Sequence, residues 1–273
     1  MHINQHQYFF GFIPGQAAPR EQKPPRQENL WDFFRYTFCP HLRLLSATVL
    51  IVTANALVFA LLVSHTVVTT GELTPYFLVG IQPSTLQTFG MRSPWLIYYH
   101  GQAFRFLAPS VLHVGLRHCV VNSVLMAGLG AVVESAIGSL FMLAFYVSVV
   151  FGSNLFGAVC SPELSAVGSD PVLYALLTAI LLLLTFNWPH MPGPPTSKIL
   201  RFFAMAIVVM IIVFLLSQQA STAGAAWLLL SEQIRYPDLY GSLGGVAYGA
   251  VASLCILPAV TRRSDLAGGI AQS

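Results

Sequence analysis

Charge is what this sequence has least of. Of its 273 residues only 8% are Asp, Glu, Lys or Arg, against about 25% in an ordinary soluble domain. That shortage excludes a soluble globule, because a water-facing surface cannot be covered without charged side chains. Paired cysteine spacing is also missing. Cys39, Cys119, Cys160 and Cys255 are scattered, with no Cys-x-x-Cys and no histidine companion set suited to zinc, so they form neither a disulfide framework nor a zinc ligand set. Short segments of alternating polarity are absent, which excludes a membrane β-barrel. So is a secretory leader, and Glu21, Glu28 and Asp32 interrupt anything resembling an acid-free transit peptide.

What is present is apolar length: 55% of the residues are hydrophobic. Six runs stand out, Leu44–Thr69, Val111–Val133, Leu140–Val159, Val167–Phe186, Ile199–Leu216 and Leu239–Val260. Each approaches or exceeds the roughly 20 residues a helix needs to cross a hydrocarbon core. The expectation is an all-α membrane protein with six transmembrane helices, the first acting as signal anchor. Nine basic residues fall on one side of that topology (Arg20, Lys23, Arg26, Arg35, Arg43, Lys198, Arg201, Arg262, Arg263) and four on the other (Arg92, Arg105, Arg117, Arg235). The bias places both termini in the cytoplasm. It also accounts for the net charge of +3 without nucleic-acid binding. The domain layout is then a flexible Pro- and Gln-containing cytoplasmic tail over 1–43, a membrane domain over 44–260, and a cytoplasmic tail over 261–273. The long loop 70–105 carries Phe77, Phe89, Trp95, Tyr98, Tyr99 and Phe104, rings suited to the outer membrane interface. Cys39, just before the first run, suits palmitoylation or a free thiol equally.

Polar residues inside the spans are few, and lipid makes each one costly without a partner or a wet cavity. The second span carries His113, His118 and Asn122, then Glu134 and Gly138. His118 and Asn122 are four apart and share a helix face. Interhelical hydrogen bonding explains them; a metal site would need further ligands at helical spacing, and none follows. The fourth span opens Gly168-Ser169-Asp170-Pro171-Val172-Leu173-Tyr174. Pro171 suits a first helical turn, and Asp170 suits a helix cap. In the sixth span Gly241, Gly245 and Gly249 form a small-residue stripe that lets two helix backbones approach.

Together these residues resemble the rhomboid intramembrane serine proteases, from about Leu44 to Val260. The family's His-x4-His-x3-Asn motif is similar to His113, His118 and Asn122; its Trp-Arg loop element to Phe104-Arg105; its Glu and Gly after the second helix to Glu134 and Gly138; and its third-helix Gly-rich stretch to Gly152 and Asn154. The resemblance implies a rhomboid-like six-helix bundle embedded in the lipid bilayer, with no metal or other cofactor. It also implies that Gly168, His113, His118, Asn122 and Tyr174 line the oxyanion side of a pocket.

The departures bear on function. Where the family has its nucleophilic serine, counting back from Tyr174 gives Asp170; where it has its catalytic histidine, the last span has Ser242. A serine hydroxyl needs an adjacent base to accept its proton, and no histidine occurs after His190. Ser169 is the fallback nucleophile, although in a regular helix its side chain would point about 100° away from that of Asp170. An Asp170–Asp238 carboxylate pair fits less well, because Asp238 lies a turn above Ser242 on a straight helix. The expectation is a pseudoprotease, resembling inactive rhomboids and derlins, which binds transmembrane segments of client proteins in the ER or Golgi and affects their trafficking or degradation. The alternative is an intramembrane serine endopeptidase with a non-standard site.

Overall fold

The computed structural model describes residues 46–70, 81–187 and 238–270. The expected tail over 1–43 and the fifth apolar run, Ile199–Leu216, lie outside them. The described elements are α1 (Ala47–Thr70), α2 (Pro83–Phe89), α3 (Pro94–His100), two 3₁₀ turns (Ala103–Phe106 and Ala108–Val111), α4 (Leu116–Ile137), α5 (Ser139–Cys160), α6 (Asp170–Asn187) and α7 (Leu239–Ile270). Three of them, α1, α4 and α5, are long and apolar enough to cross a membrane, and α6 and α7 contain the shorter apolar stretches Asp170–Leu183 and Leu239–Cys255. Helix α7 runs past the end of its apolar run at Val260 into the region expected to be a tail. No proline or glycine interrupts the chain between Val260 and Gly268, so nothing local stops the helix there.

The loop between the first two spans is more ordered than its length suggests. Pro83 and Pro94 start α2 and α3, and Gly90 and Gly101 end them in left-handed conformations at φ 109° and 65°, which glycine adopts without strain. Gly90 is needed for space as well, since a Cβ there would come within 2.7 Å of the Ala108 Cβ. Arg105 is buried beneath the loop. Its Nη1 donates to the carbonyls of Gln87 at 2.9 Å and Met91 at 2.8 Å, and its Nε to Gln102 Oε1 at 2.7 Å. Burial lowers the Arg105 pKa, yet a guanidinium stays charged, and its fixed fork of donors ties a carbonyl in the last turn of α2 to one just beyond it.

At the opposite end of α4, Gly138 (φ 87°) closes one helix and begins the next. Glu134 sits at that turn. Its carboxylate accepts the backbone N–H groups of Ala47 at 2.9 Å and Thr48 at 2.8 Å, together with the Ser139 hydroxyl. A carboxylate on the first N–H groups of α1 satisfies donors that no helix can satisfy internally. Beside it α1 and α4 approach closely, since a Cβ on Gly130 would meet Thr48 at 2.9 Å.

Helix α7 lies between α5 and α6. A Cβ on Gly244 would be 3.0 Å from Ser153 Cα, one on Gly249 would be 2.6 Å from Ala175 Cα, and one on Gly245 would overlap the Pro171 carbonyl. Met126, Met142, Phe145, Val149, Leu173 and Leu176 fill the core between helices. The outer surface is itself apolar, with Leu57 62%, Val124 65% and Leu140 78% exposed. Such a surface suits hydrocarbon rather than water.

Candidate functional site

A buried polar cluster forms where the start of α4 meets the start of α6. Helix α6 begins at Asp170, so Ser169 stands just outside it, with its carbonyl accepting the N–H groups of Val172 at 2.9 Å and Leu173 at 3.2 Å. The angular separation expected for a regular helix therefore does not apply. Both side chains reach Asn122, whose Nδ2 lies 3.1 Å from Ser169 Oγ and 2.7 Å from Asp170 Oδ1. His118 Nε2 lies 3.3 Å from the same Asp170 oxygen and 2.9 Å from the Asn122 amide. The Val114 N–H points at His118 Nδ1 at 3.5 Å; an imidazole that accepts there carries its proton on Nε2, toward Asp170. Asn122 Nδ2 donates to Asp170 Oδ1 and Ser169 Oγ, and its 2.9 Å approach to His118 Nε2 is a hydrogen bond only in the opposite tautomer.

Gly168 makes this convergence possible. Its φ of +121° is open to glycine alone among common choices, and a Cβ there would stand 2.9 Å from His118 Cε1. Its N–H donates to the Pro109 carbonyl at 2.9 Å, which ties the approach to α6 to the turn before His113. His113 is wholly buried, edge-on to His118 with ring centroids 5.1 Å apart, and its Nε2 reaches Ser169 Oγ at 3.5 Å. That distance is the outer limit of hydrogen bonding.

The structure thus brings together His113, His118, Asn122, Gly168, Ser169 and Asp170. Tyr174, one turn into α6, is half-buried against the core. Ser242 lies half-buried on α7, and no imidazole among the described residues bonds its hydroxyl. Gly245 and Gly249 face α6, whereas Gly241 faces the Asp238 carboxylate. Phe104 is exposed on the loop, 5.2 Å from the Arg105 guanidinium that anchors it. Among the described residues no group of three or more His, Cys, Asp and Glu is arranged to hold a metal ion.

The family model of the rhomboid domain matches residues 100–259, which contain this cluster and most of the packed helices. The chain belongs to the rhomboid family. Rhomboids are integral membrane proteins, so the apolar outer surface faces lipid. The chain is 26% identical over 241 residues to Rhomboid-related protein 3 of Homo sapiens, covering 87% of this chain and 54% of that protein. Rhomboid protease GluP of Bacillus subtilis (strain 168) is 29% identical over 147 residues, 52% of this chain and 27% of that protein. RHOMBOID-like protein 7 of Arabidopsis thaliana is 28% identical over 111 residues, 41% of this chain and 36% of that protein. This rhomboid spans about half the length of the Rhomboid-related protein 3 sequences it matches.

A buried ion pair at the start of α7 was not legible in the sequence. Arg92 and Asp238, 146 residues apart, form a buried bidentate pair at 2.6 and 3.0 Å. Asp238 is accordingly occupied and does not approach Asp170 as a carboxylate partner. Opposite charges within apolar surroundings were the available signal in so uncharged a chain, but their separation hid which charge meets which.

Proposed function

We propose that this rhomboid is a client-binding pseudoprotease: a six-span bundle with both termini in the cytoplasm of a secretory-pathway membrane, ER or Golgi, that receives transmembrane segments of other proteins and affects their trafficking or degradation. One observation carries the loss of catalysis. The Asp170 carboxylate occupies the donors of Asn122 and His118 at 2.7 and 3.3 Å, the side chains whose counterparts in proteolytic rhomboids would steady a reaction oxyanion. An anion of the protein's own sits where the transition state would build one. Any oxyanion formed beside it would be repelled, whereas catalysis by such a site depends on preorganised donors that stabilise new negative charge. That no imidazole among the described residues bonds Ser242 Oγ supports the same reading, because a serine hydroxyl there has no base beside it.

A second reading is favoured by one contact, Ser169 Oγ to His113 Nε2 at 3.5 Å. It makes the protein an intramembrane serine endopeptidase with Ser169 as nucleophile and His113 as base. Both residues are wholly buried, and the Asp170 carboxylate still faces the site, so this reading requires opening and rearrangement before attack.

The experiment uses the full chain in proteoliposomes with a panel of single-span segments. A photo-crosslinking residue at position 242 should capture a subset of these segments without cleaving them, and a fluorophosphonate probe should leave the protein unlabelled. Labelling that disappears in Ser169→Ala would replace the first reading with the second. No capture of any segment would remove the client-binding part.

A further inference from the structure

We propose that the buried Arg92–Asp238 ion pair is a latch that holds the outer end of α7 closed over the polar cluster at the start of α6. The proposal does not depend on whether that cluster binds clients or cuts them. Arg92 is 0% exposed and Asp238 9%, and the guanidinium grips both carboxylate oxygens. Among the described residues its Nε has no partner, so its side-chain hold there is the fork on Asp238. Two glycines make room for the pair: a Cβ on Gly157 of α5 would overlap the guanidinium, and one on Gly241 would overlap the carboxylate.

Each partner is tied into a different part of the outer face. The Arg92 backbone exchanges both hydrogen bonds with Ala166 at 3.0 Å, two residues before Gly168. Asp238 stands just before α7; its Oδ1 accepts the Gly241 N–H at 3.0 Å, and its carbonyl accepts the Ser242 N–H at 2.9 Å. One ion pair therefore joins the loop that carries α2 and α3, the approach to the cluster, and the first turn of α7.

Below this point α7 meets α6 through glycine, with Gly245 on the Pro171 carbonyl and Gly249 on Ala175. Smooth glycine contacts permit close approach but do not interlock, so they do little to fix the height or tilt of a helix. The ion pair supplies that fixing. A buried pair is weak as a source of net stability, because desolvation offsets its attraction, but removing one partner leaves an unpaired buried charge. A group whose loss is felt locally and steeply is suited to deciding whether one helix end opens, and local opening of this kind costs less than global unfolding.

The test measures thiol labelling by a charged, water-soluble methanethiosulfonate on the full chain in detergent. Cys39, Cys160 and Cys255 are replaced by serine, and Ser169→Cys reports on the cluster. Native Cys119, buried on α4, reports on the fold as a whole. Asp238→Asn keeps an oxygen to accept the Gly241 N–H but removes the charge. It should raise the labelling rate at position 169 by about tenfold or more while leaving Cys119 unchanged. Arg92→Lys keeps the charge without the fork and should give a smaller rise at position 169. An equal rise at both cysteines, or no rise at position 169, overturns the latch. If neither variant can be obtained folded, the pair holds up the whole structure and the proposal is likewise overturned.

Discussion

Two buried carboxylates lie against opposite ends of α4, and they are satisfied in different ways. Glu134 accepts two backbone N–H groups of α1 and the Ser139 hydroxyl. Asp170 accepts from the side chains of His118 and Asn122, with Ser169 alongside. Backbone donors belong to the fold itself and are stranded in lipid if their acceptor goes. Side-chain donors can turn, find each other or take up a ligand. The Glu134 end is therefore a structural joint, and the Asp170 end is a place where composition can change without dismantling the protein. Substitution at the Asp170 end can leave the fold standing because the two jobs sit at separate ends of one helix.

The largest effect should come from removing the joint. Glu134→Ala leaves the Ala47 and Thr48 N–H groups without their acceptor, and the loss should be about 3 kcal/mol or more, read as a lowered unfolding temperature in detergent. A shift as small as that of a surface variant would end the distinction drawn above. Gly245→Leu comes next, since its side chain has no room against the Pro171 carbonyl. Overpacking should cost about 1–3 kcal/mol, and unchanged thermal stability would mean that α7 does not rest on α6 here.

Asp170→Asn should do less. The amide keeps an oxygen for the His118 and Asn122 donors, so the change should be about 1 kcal/mol, clearly below that of Glu134→Ala in the same assay. Equal losses would erase the contrast between the two ends. The smallest expected effect is none: Asp170→Ser alone should not produce cleavage of a test transmembrane substrate, because the new hydroxyl still lacks a base at position 242. Adding Ser242→His supplies one, and general-base assistance is typically worth about 10²- to 10⁴-fold. The double variant should cleave measurably, and cleavage by the single variant would show that His113 or His118 already serves as base.

Much of the site was legible in the sequence because its residues are local. His118 and Asn122 stand one helical turn apart, and any helix over that stretch puts them on one face. Gly168 lies two residues before Asp170, so a turn into α6 brings both to the same place. The family resemblance then supplied which helix they meet. The relation between Ser169 and Asp170 was not legible, because the helix boundary that falls between them is set by the fold. The loop 81–111 was legible as rich in aromatics, but not as a segment held from beneath by buried Arg105: the carbonyls that Arg105 collects are those of Gln87 and Met91, and no pattern in the sequence assigns them.

By itself the sequence determined that the chain lives in lipid and which segments are apolar enough to become its helices, and its polar spacing carried the resemblance to the rhomboid family. These properties follow from composition, from run length against bilayer thickness and from spacing within one turn. Only the tertiary structure decided that Asp170 meets Asn122 and His118, that Glu134 caps α1, and that Arg92 holds Asp238 at the start of α7. Each of those pairs joins residues dozens to more than a hundred positions apart. In a chain with so few charges, each buried ionic or hydrogen-bonding group must find a partner inside the fold, and which partner it finds depends on how the helices are stacked.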